Sequence, residues 1–181
     1  SIDDATEKLD SLVGELLTYA RIESNASEMT AELIDVWNLI AQAVDFHAPL
    51  YPDIQYIMPA DPECLVTQAH SDSLARAIDN LVSNAGQYAK SRVLVSAKIL
   101  EQSVMVIVED DGNGIPETEW ENVFEPFTRL NQCDNRGVGL GLALVQRITK
   151  QHKGQVTVTK STLGGACLTI QLPQSSGSTE T

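Results

Sequence analysis

Apolar residues recur along the chain with two periods, and the switch between them marks out its parts. Near the start, Ile2, Ala5, Leu9, Leu12, Leu16 and Tyr19 return every three or four positions, with Asp3, Asp4, Glu7, Lys8 and Asp10 on the other faces. That is a coiled-coil seam and predicts one helix over residues 1 to 24. Val13, Leu17 and Ala20 widen the stripe beyond two positions per heptad. Such a helix needs more than one neighbour, as in a four-helix bundle, so a dimerising bundle fragment is expected, with a helix folded back on its own domain as the alternative. The polar run 25 to 28 is the candidate domain boundary.

Beyond it the periods alternate. Residues 32 to 36 suggest a short strand. Residues 38 to 48 form a helical pattern with Leu39, Ile40, Ala43, Val44 and Ala48 on one face, stopped by Pro49 and Pro52. Residues 54 to 58 and 64 to 67 suggest strands. A helix follows, capped by Ser71 or Asp72, whose apolar face is Leu74, Ala77, Ile78, Leu81, Ala85 and Tyr88. Residues 92 to 100 and 103 to 109 predict a hairpin turning at Glu101 and Gln102. After Ala143, Leu144, Val145 and Ile148, which have helical spacing, residues 154 to 160 and 166 to 172 predict a last hairpin about Leu163, Gly164 and Gly165. Residues 174 to 181 have the composition of a disordered tail.

Composition narrows the function classes. The chain has 181 residues, 43% of them apolar, enough for one domain with an appendage. Its 25 acidic residues against 12 basic ones give a net charge of -13. Nucleic-acid binding is therefore disfavoured, because phosphate neutralisation needs clustered Lys and Arg. Cys64, Cys133 and Cys167 are widely spaced, which predicts reduced thiols and neither a disulfide framework nor a zinc site. His47 and His70 stand near element ends without a second ligand at helical spacing, so solvated or capping roles are expected for them. No apolar run reaches the length of a membrane span, and no signal peptide is visible.

Three stretches carry candidate chemistry. In Arg136-Gly137-Val138-Gly139-Leu140-Gly141-Leu142 the alternate glycines let backbone approach a bulky ligand, and the following helix aims free N–H groups and its positive dipole end at it. A glycine-rich loop before an ordinary helix looks the same. It is not a dinucleotide fingerprint, since Leu142 stands where the third glycine belongs, and not a P-loop, since no Gly-Lys-Ser/Thr follows. On the second helix Asn80, Asn84 and Gln87 line the edge of the apolar face. Asparagine is a mediocre helix former, so these amides are either a solvated flank or ligand contacts. The amide oxygen of Asn84 suits a hard cation such as magnesium. Third, Asp110-Asp111-Gly112-Asn113-Gly114-Ile115-Pro116 ends a strand. A calcium loop fails there, because its twelfth position would be Trp120. A plain turn and a slot for a flat ring, with the carboxylate accepting an exocyclic amine, both remain.

With these three motifs in this order, the chain resembles the ATP-binding catalytic domain of sensor histidine kinases, within the superfamily of DNA gyrase, the Hsp90 chaperones and the MutL ATPases. The resemblance covers residues 30 to 173. Residues 80 to 89 are similar to the N box, 110 to 116 to the G1 box, 124 to 129 (Phe-Glu-Pro-Phe-Thr-Arg) to the F box and 136 to 142 to the G2 box. Gly164-Gly165-Ala166 with Leu172-Pro173 is similar to the closing strand.

The resemblance implies an α+β fold, a Bergerat-type α/β sandwich whose mixed sheet has helices on one face, preceded by one helix of a dimerisation bundle. The implied domains are 1–24, the incomplete histidine-phosphotransfer hairpin; 25–173, the catalytic domain; and 174–181, the tail. The implied cofactors are ATP and Mg2+. Asp110 would hold the adenine amino group, Gly112, Gly114 and Ile115 would shape the base pocket with Tyr88 beside it, and Asn84 would carry the magnesium. Asn80, Gly137, Gly139, Gly141 and Leu142 would surround the phosphates, and residues 127 to 136, with Arg129, would form the lid over them.

One discriminating residue and two departures qualify these implications. Hydrolytic relatives have a glutamate general base where this chain has Asn80, and an amide cannot take a proton from water at neutral pH, so slow hydrolysis and transfer to a protein side chain are expected. Most relatives carry Lys or Arg where this chain has Gln87. This implies weaker nucleotide binding, unless Arg129 or Arg136 compensates, or else a degenerate module that no longer uses nucleotide. No phosphoacceptor box surrounds His47, His70 or His152. The chain is thus expected to be a fragment whose partners are the phosphoacceptor hairpin of a homodimeric parent kinase and a response regulator. The resemblance implies a cytoplasmic domain of a protein in the bacterial inner membrane.

Overall fold

Asp35 decides where the first described helix of the domain begins. Its carboxylate accepts from the Trp37 N–H at 3.0 Å, so the chain leaves the strand Glu32–Asp35 (β1) and enters the helix Val36–His47 (α1) without a loop. The computed structural model describes residues 30–60, 62, 64–129 and 139–174, together with positions 13, 14, 16, 17 and 20. Those five positions are helical, and Val13, Leu16 and Leu17 are about half exposed. The rest of the expected N-terminal helix, its boundary at 25 to 28 and the expected tail lie outside the described residues, apart from Gln174.

The remaining elements are β2 (Gln55–Ile57), β3 (Val66–Ala69), α2 (Ser71–Tyr88), β4 (Arg92–Leu100), β5 (Ser103–Asp110), α3 (Gly141–Gln151), β6 (Gln155–Lys160) and β7 (Ala166–Pro173). β1 and β3 form a small antiparallel pair. The main sheet runs β2-β4-β5-β7-β6, with β2 parallel to β4 and the other neighbours antiparallel. The fold is α+β with a mixed sheet, as the family resemblance implied.

Alternation explains the layers. Val93 and Val95, then Val104, Val106 and Val108, then Leu168, Ile170 and Leu172, and Val156 and Val158 all bury one face of the sheet. Against it pack Leu74, Ile78 and Leu81 of α2, Val145 and Ile148 of α3, and Ile40 of α1. Each fully buried Leu or Ile stabilises the domain by roughly 1.5–3 kcal/mol. The β4–β5 turn is the expected two-residue one, with Glu101 and Gln102 both at positive φ, 49° and 64°.

Four expectations need correction. The N-cap of α2 is His70, in extended conformation and without a side-chain cap bond, and Ser71 is already helical. β3 runs two residues later than expected, because pairing Ala69 with Glu32 puts Thr67 and Ala69 inward. Tyr88 is not in the apolar face. It is 50% exposed, since the helix ends one residue later at Ala89, in extended backbone, and Ser73, Val82 and Gly86 are buried instead. His47 is not solvated. It is buried, and its Nε2 lies 2.8 Å from Asp79 Oδ1.

The histidine pair at the other end of α2 ties two helices together. His152 Nδ1 bonds the Ile148 carbonyl at 2.8 Å, which makes Nε2 the acceptor for the His70 backbone N–H at 3.0 Å. Among the described residues no group of three or more His, Cys, Asp or Glu could hold a metal, and no helix is long and apolar enough to cross a membrane.

Candidate functional site

β5 delivers Asp110 to the centre of the sheet's end, where its side chain is only 6% exposed. Oδ1 accepts from Gly112 N at 2.8 Å and Ala166 N at 3.2 Å. Both of these bonds end on Oδ1, so Oδ2 is the oxygen with acceptor capacity left for a ligand. Burial holds the carboxyl above its ordinary range, opposed by the two backbone N–H groups and reinforced by the charge of Asp111. A buried carboxylate with one oxygen satisfied is suited to accept from a neutral amine.

Glycines make this geometry possible. A Cβ on Gly165 would lie 2.1 Å from Asp110 Oδ1, and one on Gly112 would lie 2.3 Å from the Tyr88 carbonyl oxygen. The G1 segment is therefore seated directly on the C-terminal end of α2. Gly114 has φ +72° and faces the Gly165 backbone, while the Ile115 carbonyl accepts from Trp120 Nε1 at 3.0 Å.

The carboxylates on either side of Asp110 have structural roles that sequence reasoning missed. Asp111 accepts from the backbone N–H groups of Lys90, Ser91 and Arg92 and from the Ser91 hydroxyl. Burial works against its charge, but these donors win and hold the carboxyl well below the usual carboxylate range. Glu109 Oε1 accepts from Ser161 Oγ, Thr162 N and Thr162 Oγ1 at 3.1, 2.9 and 3.0 Å. β5 lies between β4 and β7, so each flanking carboxylate fixes the approach to one neighbouring strand.

The second cluster of expected site residues lies between α2 and the start of α3. A Cβ on Gly141 would come 3.0 Å from Asn80 Oδ1 and 3.9 Å from Asn84 Nδ2, so the N-box amides and the glycine-rich loop meet. Asn80 Nδ2 donates to the Arg76 carbonyl at 2.9 Å, which turns its oxygen toward the loop. Leu140 caps α3 without a side-chain bond, and the first helical bond is Leu144 N to Leu140 O. The N–H groups of Gly141, Leu142 and Ala143 therefore have no intrahelical acceptor and suit an anion. Leu142 itself packs partly into the core. An adjoining cavity of about 360 Å³ is bordered by Arg76, Asp79, Asn80 and Ser83 on one side and Leu140 and Gly141 on the other.

At the base of the expected lid, Phe127 N donates to Gly139 O at 2.9 Å, with Phe127 at φ 65° and Gly139 at φ +81°. Arg129 is exposed just beyond Phe127. Gly137, Arg136 and Cys133 lie outside the described residues. The structure thus brings Asn80, Asn84 and Gly141 together at one end and Asp110, Gly112 and Gly114 at the other, with the Tyr88 carbonyl against Gly112.

This arrangement, a buried acceptor at one end and an open helix N-terminus at the other, coincides with a family match. The model of histidine kinase-, DNA gyrase B-, and HSP90-like ATPases matches residues 69–176. The chain belongs to this family. It is 33% identical over 141 residues to the sensor-type histidine kinase PrrB of Mycobacterium tuberculosis, covering 77% of this chain and 31% of PrrB. It is 30% identical over 179 residues to the sensor histidine kinase CpxA of Escherichia coli, covering 95% of this chain and 38% of CpxA. The crystal structure of the ATP-binding domain of PrrB from M. tuberculosis superposes with a TM-score of 0.67 at 30% identity, covering 80% of this chain and 97% of that one. The chain spans about a third of the length of these curated relatives.

Proposed function

We propose that this chain is the ATP-binding catalytic module of a sensor histidine kinase. It binds ATP with the adenine amino group donating to Asp110 Oδ2, the base between Gly112, Gly114 and Ile115, and the phosphates over Asn80, Asn84 and the N–H groups from Gly141 onward. Gly137, Gly139 and Arg129 complete the phosphate end. The observation that carries this reading is the buried Asp110 carboxylate with one oxygen already satisfied, beside the C-terminal end of the same helix, α2, whose Asn80 and Asn84 face an uncapped helix N-terminus.

The N-box amides fit a magnesium ion. Magnesium keeps several waters and takes one or two protein ligands beside substrate phosphates, and Asn84, half-buried next to Gly141, can present one amide oxygen after rotation of its terminal amide. Bound there with ATP, it would offset charge on the β- and γ-phosphates. Asn80 contributes orientation and no base. Water is then poorly activated, and the γ-phosphoryl passes to a histidine nitrogen on a helical hairpin of the parent protein, for relay to a response regulator. Residues 1–24 would belong to that hairpin in a homodimer, 25–173 to the catalytic domain and 174–181 to a tail, the parent lying in the bacterial inner membrane.

Thermal unfolding with ATP or an unhydrolysable analogue, with and without magnesium, tests the reading. Binding to the native state raises Tm in proportion to ligand excess over Kd. Absence of any shift with both ligands would favour the alternative, a nucleotide-independent module. With radiolabelled ATP the chain alone should stay unlabelled, and a hairpin added in trans should become labelled.

A further inference from the structure

The phosphate end of the proposed site carries a further cation, Arg76. Arg76, Asn80 and Asn84 stand one turn apart on one face of α2, and Arg76 is the sole positively charged residue among the described residues bordering the 360 Å³ cavity. The direction of this series is fixed at its other end, where Gly112 seats the base-holding loop on the Tyr88 carbonyl. From Tyr88 back to Arg76 the helix rises about 18 Å, at roughly 1.5 Å per residue. That is comparable to the reach of an extended nucleoside triphosphate. A ligand with its base on Asp110 and its inner phosphates over Asn84, Asn80 and the Gly141 amide points its last phosphate toward Arg76.

Charge makes the same demand. The chain carries a net charge of -13, and Gln87, the next polar position along this face, is neutral. Asp79 also borders the cavity, but its Oδ1 is engaged by His47 Nε2 at 2.8 Å. Arg76 is exposed and no ion pair holds it among the described residues, so its guanidinium is available to swing into the cavity. Its planar fork of N–H donors matches phosphate oxygens. We infer that Arg76 is a specificity-determining residue that holds the terminal phosphoryl group and lets the site tell ATP from ADP. The inference rests on the proposed nucleotide reading.

The test measures the affinity of a magnesium-loaded unhydrolysable ATP analogue and of ADP for the wild-type chain and for Arg76→Ala, Arg76→Lys and Asp110→Ala. Arg76→Ala should weaken the triphosphate roughly tenfold or more and ADP less than about twofold, while Arg76→Lys recovers part of the loss. Thermal melts of the ligand-free variants should match wild type, because the side chain is exposed. Equal weakening of both nucleotides, or of neither, overturns the role of Arg76 while leaving the base pocket intact, provided Asp110→Ala still weakens both. If Asp110→Ala leaves both affinities unchanged, the nucleotide reading itself falls, and the inference with it.

Discussion

At one end of the proposed site three consecutive carboxylates are each tied to a different piece of backbone, whereas at the other end the contacts are a glycine against an asparagine and a row of amides without an intrahelical acceptor. Glu109 fixes the turn before β7, Asp111 fixes the segment leading into β4, and Asp110 stands between them. The end proposed to take the base is organised before any ligand arrives. The phosphate end is the part that a polyanion and its cation must complete. Preorganisation of this kind puts recognition of the base at the rigid end and leaves overall affinity and the preference among phosphate chains to be set at the open one.

The hardest blow to this contrast is Asp110→Ala. It removes the charged acceptor, and nucleotide affinity should fall by roughly 10- to 150-fold, with ATP and ADP affected alike. Isothermal titration of both nucleotides measures it. Stability at neutral pH gains from removing a buried charge and loses from leaving the Gly112 and Ala166 N–H groups without an acceptor, so its net change should be small beside the loss of affinity.

Asp111→Ala should do the converse. Four donors lose their acceptor, and the domain should lose about 2 kcal/mol, read as a fall in the denaturation midpoint. Nucleotide affinity should fall less than for Asp110→Ala, and Asp111→Asn, which keeps one acceptor oxygen, should recover part of the stability. If Asp111→Ala proves as stable as wild type, the base end is not held in the way its hydrogen bonds suggest.

Acidification separates the two carboxylates. Asp110 is held above its ordinary pKa, so its contribution to stability is present below the ordinary value and lost as pH rises through the raised one. Binding has the opposite sign, because the amine needs the carboxylate. Affinity should be full above the raised pKa and fall as pH drops through it. Asp111 is held low, so its contribution is present above the ordinary carboxylate value and lost only when pH falls through its depressed one. Nucleotide should therefore leave before this clamp opens, as titration calorimetry and circular dichroism on one pH series would reveal. His152 adds a separate slope. Burial, with His70 beside it, holds its pKa down, so its contribution is present above the ordinary histidine value and lost as pH falls through the lowered one.

What could be foreseen follows from how local each signal is. The valines of β4 and β5 alternate within their own strands, and Asp110 ends a strand before two glycines, so both were legible. Glu109 and Asp111 were not, because their partners lie 52 and 20 residues away in Ser161 and Ser91, and only strand order brings those together. Tyr88 was misplaced because the helical pattern says nothing about where the last turn leaves the core. Arg76 looks like any solvated helix charge until the cavity beside it is seen.

The smallest expected effect bears most directly on how the two ends divide their work. Gln87 is half-buried three residues beyond Asn84, nearer the base end than Arg76. A cation there meets the inner phosphates, which ADP and ATP share, so Gln87→Arg should tighten both by about threefold to tenfold. The gain should shrink with added salt, as expected for partly exposed charges. Arg76 acts on the last phosphate alone, so in the double variant Gln87→Arg, Arg76→Ala the gain on ADP should persist while most of the triphosphate preference disappears. A gain confined to ATP would mean that position 87 reaches the terminal phosphate, and the ligand would have to lie along α2 in a different register from the one that Asp110 and Gly141 define.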